Sequence, residues 1–154
     1  MQDLGQLGLL RVLRYLNLSG CTGVGDLAPL VGLSHLKYVH LTGCIGVQDV
    51  RPLAVLSQLA TLNLSQADLS GARLTASSLQ GAWLQKSIVC GADLTGTDLS
   101  RADLRGALLQ QNNFSGATLS GADLGGVCQG RSTRSCTFLV NPWKFRRSLD
   151  ILYA

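Results

Sequence analysis

The sequence predicts a β solenoid, and three regularities predict it. An apolar pattern recurs up to residue 66 with a period of 23, and a shorter one recurs from 67 to 126 with a period of five. The two share a phase at Leu64, so the first coil runs into the second without a break. Fixed periods of this kind mark units that bury an apolar face only by stacking on their neighbours.

The longer period comes first. Leu13, Leu16, Leu18 and Cys21 fall over Leu36, Val39, Leu41 and Cys44, and then over Leu59, Leu62, Leu64 and Ala67. Asp3, Asp26 and Asp49 keep the same register, as do Leu7, Leu30 and Leu53, and Leu10, Leu33 and Leu56. Alternation predicts a short strand with Leu16 and Leu18 inward and Tyr15, Asn17 and Ser19 outward. The return stretch, D-L-x-P-L-x-x-L around Pro29 and Pro52, predicts a short helical or 3₁₀ turn forming the opposite wall. The rows LRYLNLSGC and LKYVHLTGC fit L-x-x-L-x-L-x-x-(N/C), and LATLNLSQA fits with Ala last. Residues 3–66 thus resemble leucine-rich repeats. The resemblance implies that Cys21 and Cys44 point inward at the turn. One rung apart, they are close enough for a disulfide, and buried thiols are the simpler reading.

From Ala67 the rows run ADLSG, ARLTA, SSLQG, AWLQK, SIVCG, ADLTG, TDLSR, ADLRG, ALLQQ, NNFSG, ATLSG and ADLGG. Each centres on Leu, Val or Phe, from Leu69 to Leu124, with a small residue two places earlier. A narrow tube has room for one large and one small side chain per face, and the chain supplies that pair twelve times. The motif A-(D/N)-L-x-x resembles the pentapeptide-repeat family. That resemblance implies a right-handed quadrilateral β-helix with four rows per turn, hence three coils over 67–126. Asn112 and Phe114 depart from the motif in one row, so a larger ring is expected beside an altered wall.

Adding 20 per turn to Leu64 gives Leu84, Leu104 and Leu124. If both coils are right-handed, as both families are, one outward ladder reads Asn17, His40, Asn63, Trp83, Asp103, Asp123. Its neighbour reads Tyr15, Tyr38, Thr61, Gly81, Arg101, Gly121, and the other flank Ser19, Thr42, Ser65, Gln85, Arg105, Gly125. Exposed Tyr, Trp and Arg are enriched at binding hot spots. The candidate partner-binding residues are therefore Tyr15, Asn17, Tyr38, His40, Asn63, Trp83, Arg101 and Arg105, although Tyr15 and Tyr38 could simply stack as a cross-strand pair. Ile88 and Leu108, in line with Asp68 and beside Cys90, form a secondary apolar patch. Arg73 and Asp93 fall on adjacent rungs and are expected to pair weakly, at ~0–1 kcal/mol.

Charge divides the 154-residue chain unequally: the net +4 lies wholly in residues 127–154. There Arg131, Arg134, Lys144, Arg146 and Arg147 face Asp150, whereas the repeats are neutral. This segment is read as a basic tail or cap: a loop over 127–140, then a short C-terminal helix near 142–152. Asn141 and Pro142 would start that helix, and Phe145, Leu149 and Leu152 would share one face. It would cap the tube or lie on a membrane surface. At the other end the first repeat starts partway through, at Asp3, without a polar cap. This fits either a fragment of a longer repeat protein or an end that associates with another copy.

Chemistry-bearing residues are sparse. Glu is absent, only His35 and His40 occur, and no nucleophile, phosphate-binding or metal-ligand motif is found, so no enzyme, cofactor or metal is expected. An odd five cysteines and no secretory leader suit the cytoplasm. The reading is a non-enzymatic protein–protein interaction scaffold that binds through the shared strand face. The pentapeptide resemblance also raises a DNA-mimicking inhibitor of DNA gyrase, which the neutral repeats disfavour, because mimicry of phosphates needs an acidic surface. A membrane-associated effector using the basic tail is the third reading. Binding to nucleic acid is disfavoured on the same charge balance.

Overall fold

The computed structural model describes residues 4–127. Three short strands, β1 (Tyr15–Asn17), β2 (Tyr38–His40) and β3 (Thr61–Asn63), form a parallel sheet in chain order. Its register is that of the longer period: Tyr15↔Tyr38↔Thr61, Leu16↔Val39↔Leu62, Asn17↔His40↔Asn63. The middle residue of each strand is buried, and strand alternation turns its two neighbours outward.

The return wall is 3₁₀ helix, at Gly5–Leu9, Ala28–Gly32 and Arg51–Val55. Proline explains the last two. Pro29 and Pro52 sit in the first turn, where a fixed φ suits the helix and no N–H is needed. Asp26 and Asp49 hold the entry, accepting the N–H of Ala28 at 2.8 Å and of Arg51 at 2.9 Å. Cys21 and Cys44 are free thiols, and Cys44 donates to the Leu18 carbonyl at 3.3 Å. Burial, with Cys21 alongside, pushes the Cys44 thiol up, as expected of a structural cysteine.

Beyond residue 66 the chain winds tighter. Parallel bridges recur at every fourth row and make four columns: Asn63↔Trp83↔Asp103↔Asp123, Asp68↔Ile88↔Leu108, Arg73↔Asp93↔Asn113 and Ser78↔Asp98↔Thr118. The result is a β solenoid. Its central Leu, Val and Phe side chains and most of its Ala walls form one continuous core with Leu16 to Leu62 of the wider coils. Leu64, Leu84 and Leu104 are all buried, and each N–H bonds the next coil in the same column. An axial void of only about 10 Å³ remains, about the space of one water.

Corners explain the shorter period. Positive φ falls at every fifth position from Gln66 to Gly126, and eight of these corners are Gly, where the conformation carries no Cβ penalty. Gly20 and Gly43 take the same conformation at the matching point of the two preceding wide repeats, so Gln66 closes one series and opens the other.

Four rows carry a polar side chain in the inner wall, Ser77, Ser87, Thr97 and Asn112, and two sites among them stand out. Asn112 inserts its amide into the turn above: Ala92 N–H donates to its Oδ1 at 2.8 Å, and its Nδ2 donates to the Val89 carbonyl. The expected altered wall beside the larger ring is therefore an amide bridge, and Phe114 is buried. At the other site Thr97 Oγ1 donates to the Leu74 carbonyl at 2.7 Å, which the Ser77 N–H also uses. Ser77 Oγ, equally buried, has no partner.

The two windings meet unevenly. In the column of β3, Leu64 and Gln66 donate to Trp83 and Gln85, and Trp83 donates back to Leu62. The next two columns keep one bond each, Asp68 to Cys44 and Arg73 to Gln48. The fourth keeps none. The wide coil takes a longer path from Asp49 to Asn63 than the narrow one takes between their bridge partners, Arg73 and Trp83. The surplus lies in the wall that contains the Arg51–Val55 helix.

Candidate strand-face recognition surface

The outward ladder is continuous across the junction. Pairing links Asn17, His40, Asn63, Trp83, Asp103 and Asp123 in one line. Tyr15 and Tyr38 flank its wide end, with ring centroids 6.3 Å apart and tilted by 43°. The Tyr15 ring also lies 5.4 Å from that of His40. The two tyrosines meet in a tilted contact, yet they remain 55% and 43% exposed, and Trp83 is 46% exposed. The surface thus offers three large aromatic rings on a rigid ladder.

The polar members divide by role. Asn17 and Asn63 use Oδ1 to accept the N–H of Ser19 at 3.0 Å and of Ser65 at 2.9 Å. Asp68, Asp93, Asp98, Asp103, Asn113 and Asp123 do the same in their rows. The D/N of each row is thus a brace for its own turn. Arg105 forks onto Asp103, with Nη2 to Oδ2 at 2.7 Å and Nε to Oδ1 at 2.9 Å, and its Nε lies 3.7 Å from Asp123. Hydrogen bonding from Arg105 holds the Asp103 carboxyl below the usual carboxylate range. Gln85 adds a bond to Asp103 at 2.7 Å and takes one from Ser65 at 2.5 Å. Arg105 is therefore committed within the protein. Arg101 stands at an exposed positive-φ corner with its stem over Gly121.

The secondary patch lies one column over, where Asp68, Ile88 and Leu108 align. Ile88 is exposed and Leu108 half-buried, and Cys90 donates to the Leu108 carbonyl at 3.7 Å. The expected Arg73–Asp93 pair does not form. Asp93 accepts instead from Thr95, at 2.6 Å and through its N–H at 3.0 Å, and from Thr75 at 3.3 Å. Arg73 acts instead on Asp49, its bridge partner above, helping to lower that carboxyl after the larger effect of the bond from Arg51. The expected loop, helix and basic tail of residues 128–154 lie outside the described residues. Among those described, no cluster could hold a metal ion, and no helix is long and apolar enough to cross a membrane.

The corners, the amide bridge of Asn112 and the incomplete fourth column were not expected from the sequence. The recurrence of Gly at eight of these fifth positions was the legible sign of the corners.

The pentapeptide-repeat profile matches residues 57–89 and 91–126 in eight copies. Rfr23, a pentapeptide repeat protein from the cyanobacterium Cyanothece 51142, is 27% identical over 62% of this chain and 60% of its own, with a TM-score of 0.45. HetL from Nostoc sp. strain PCC 7120, involved in heterocyst differentiation regulation, is 25% identical over 61% of this chain and 54% of its own, with a TM-score of 0.39. Another pentapeptide repeat protein, from Nostoc PCC 7120, is 31% identical over 55% of this chain and 70% of its own, with a TM-score of 0.24. The chain thus spans less than two thirds of the length of Rfr23 and HetL. No curated protein matches the sequence.

Proposed function

This chain carries a pentapeptide-repeat domain, and from that premise we propose that it is a scaffold that binds a protein partner through the ladder face shared by its two windings. It is not an enzyme, in keeping with the non-catalytic character of pentapeptide-repeat proteins. The observation that carries the reading is the exposure of Tyr15, Tyr38 and Trp83 along one hydrogen-bonded ladder. Rigid aromatic rings supply contact area at little entropic cost, and such anchors dominate interface energies. His40 extends the patch, Asn17 and Asn63 present their remaining amide donors, and Arg101 supplies a cation at the rim. Arg105 shapes the floor.

The same reading assigns residues up to 66 to leucine-rich repeats and residues 67–126 to a four-sided helix. The regular recurrence of strand, corner and 3₁₀ return supports the first, and the four bridge columns support the second. Use of Asp side chains as turn braces, several also bonded to Arg or Thr, favours a scaffold over an acidic DNA mimic.

The test is affinity purification with wild type beside a Tyr38→Ala/Trp83→Ala variant. A partner retained by the first, lost by the second, with the melting temperature unchanged, supports the reading. Equal retention by both would sink it.

A further inference from the structure

The step between the two windings leaves a notch of about 260 Å³ on the fourth column. Its walls are Leu53, Leu56, Leu59 and Leu62 of the wide coil, and its floor is Ser78–Leu79–Gln80 of the first narrow one. We infer that this notch takes an uncharged, extended peptide from a partner protein, which pairs with Ser78–Gln80 as an added strand.

The argument starts from the backbone. In the other three columns the residue equivalent to Ser78 donates its N–H upward: Asp68 to Cys44 at 3.2 Å, Arg73 to Gln48 at 3.0 Å and Trp83 to Leu62 at 2.9 Å. In the β3 column the carbonyls of Trp83 and Gln85 also accept from above, at 2.7 and 2.9 Å. Among the described residues the corresponding groups of Ser78 and Gln80 have no such partner. No backbone carbonyl among the described residues of the wide coil accepts from Ser78, and the amides of the facing segment bond elsewhere. Leu59 donates to Leu56, while Ala60 and Thr61 both donate to Lys37, one coil further up. Unpaired strand edges recruit strands.

Three properties fix the occupant. The missing groups are backbone donors and acceptors in strand register, which only an extended polypeptide matches along its length. The lining residues carry no charge, so an ion entering the notch would lose its hydration without a counter-charge. The volume lies below that of most small-molecule pockets, leaving room for one or two apolar side chains. The notch also abuts the ladder face, because Leu62 belongs to β3. This site is separate from the aromatic surface and does not depend on it.

The test titrates the full-length ¹⁵N-labelled chain with the capped peptide acetyl-Thr-Val-Leu-Val-Thr-amide. Saturable shifts are expected at Ser78, Gln80, Ser57 and Ala60. Methylating alternate peptide nitrogens on the pairing edge should weaken binding about tenfold, as loss of two backbone hydrogen bonds implies. Ser78→Pro, which removes a donor without a partner in the free protein, and Ala60→Trp, which fills the notch, should each abolish the shifts. Tyr38→Ala/Trp83→Ala should leave them unchanged, which separates this site from the ladder face. The inference is overturned by absent or non-saturable shifts, or by equal binding of the methylated peptide. It is equally overturned if, without peptide, Ser78 shows contacts to residues 128–154 or to a second copy of the chain.

Discussion

The wide coils and the narrow ones solve the same packing problem with different means. In residues 4–66 a strand and a 3₁₀ wall face each other across an interior filled by Leu and Val from both sides. In residues 67–126 every side is a five-residue row, and small residues, mostly Ala, bring the walls close to the central side chains. The wide design leaves many large apolar side chains outside: Leu9, Leu10, Val12, Tyr15, Val31, Tyr38, Ile45 and Val55 are exposed, against Trp83 and Ile88 in the narrow one. Narrowness therefore restricts the choice of residue but yields a cleaner exterior, and exposed apolar surface collects where the coil is wide.

Six substitutions break or sharpen this contrast. The largest effect is expected where both windings share a core residue. Leu64→Ala removes a fully buried side chain and should cost about 2–5 kcal/mol, with urea unfolding separating into two transitions if the halves come apart. A single transition at unchanged midpoint would show that the column is not continuous. Next comes the narrow wall's demand for small apolar groups. Ser77→Ala removes an unpartnered buried hydroxyl and should stabilise by ~1 kcal/mol, whereas Thr97→Val, which loses a bond to Leu74, should destabilise. Ala76→Gly relieves a positive-φ corner and should gain roughly 0.5–1 kcal/mol. A loss there would mean the corner is not strained.

The smallest effect concerns charge, and it compares the two windings directly. Arg51 holds the Asp49 carboxyl low in the wide coil, and Arg105 does the same for Asp103 in the narrow one. A carboxyl depressed on folding contributes stability above its unfolded pKa, and that contribution disappears as pH falls through the lower folded value. Asp49→Asn and Asp103→Asn should therefore each lower the melting temperature slightly at pH 7 and match wild type in strong acid. A deficit persisting in acid would assign the effect to the amide's geometry rather than to charge.

Much of this was readable from side-chain spacing. The inward Leu column, the outward ladder and the common phase at Leu64 follow from periodicity, since a solenoid converts spacing into direction. What escaped was decided by competition between hydrogen bonds. Leu59 stands one narrow turn before Leu79 in the sequence, so spacing alone would pair their rows. The period of 23 instead sets Thr61 on Tyr38, with Ala60 and Thr61 both donating upward to Lys37; what spacing does not record is which of the two periods Leu59 follows at the junction. Arg73 and Asp93 were placed correctly as neighbours, but Thr75 and Thr95 displace the arginine. The outward ladder was legible as positions. The commitment of Arg105 to Asp103 was not.

The uneven seam also has a mechanical side. Three backbone bonds join the windings at β3, one at each of the next two sides and none at Ser78. A tensile load along the axis would concentrate on the β3 edge as on the spine of a book. The two blocks would tilt about that spine before either one unravels, giving an otherwise stiff rod one preferred direction of bend.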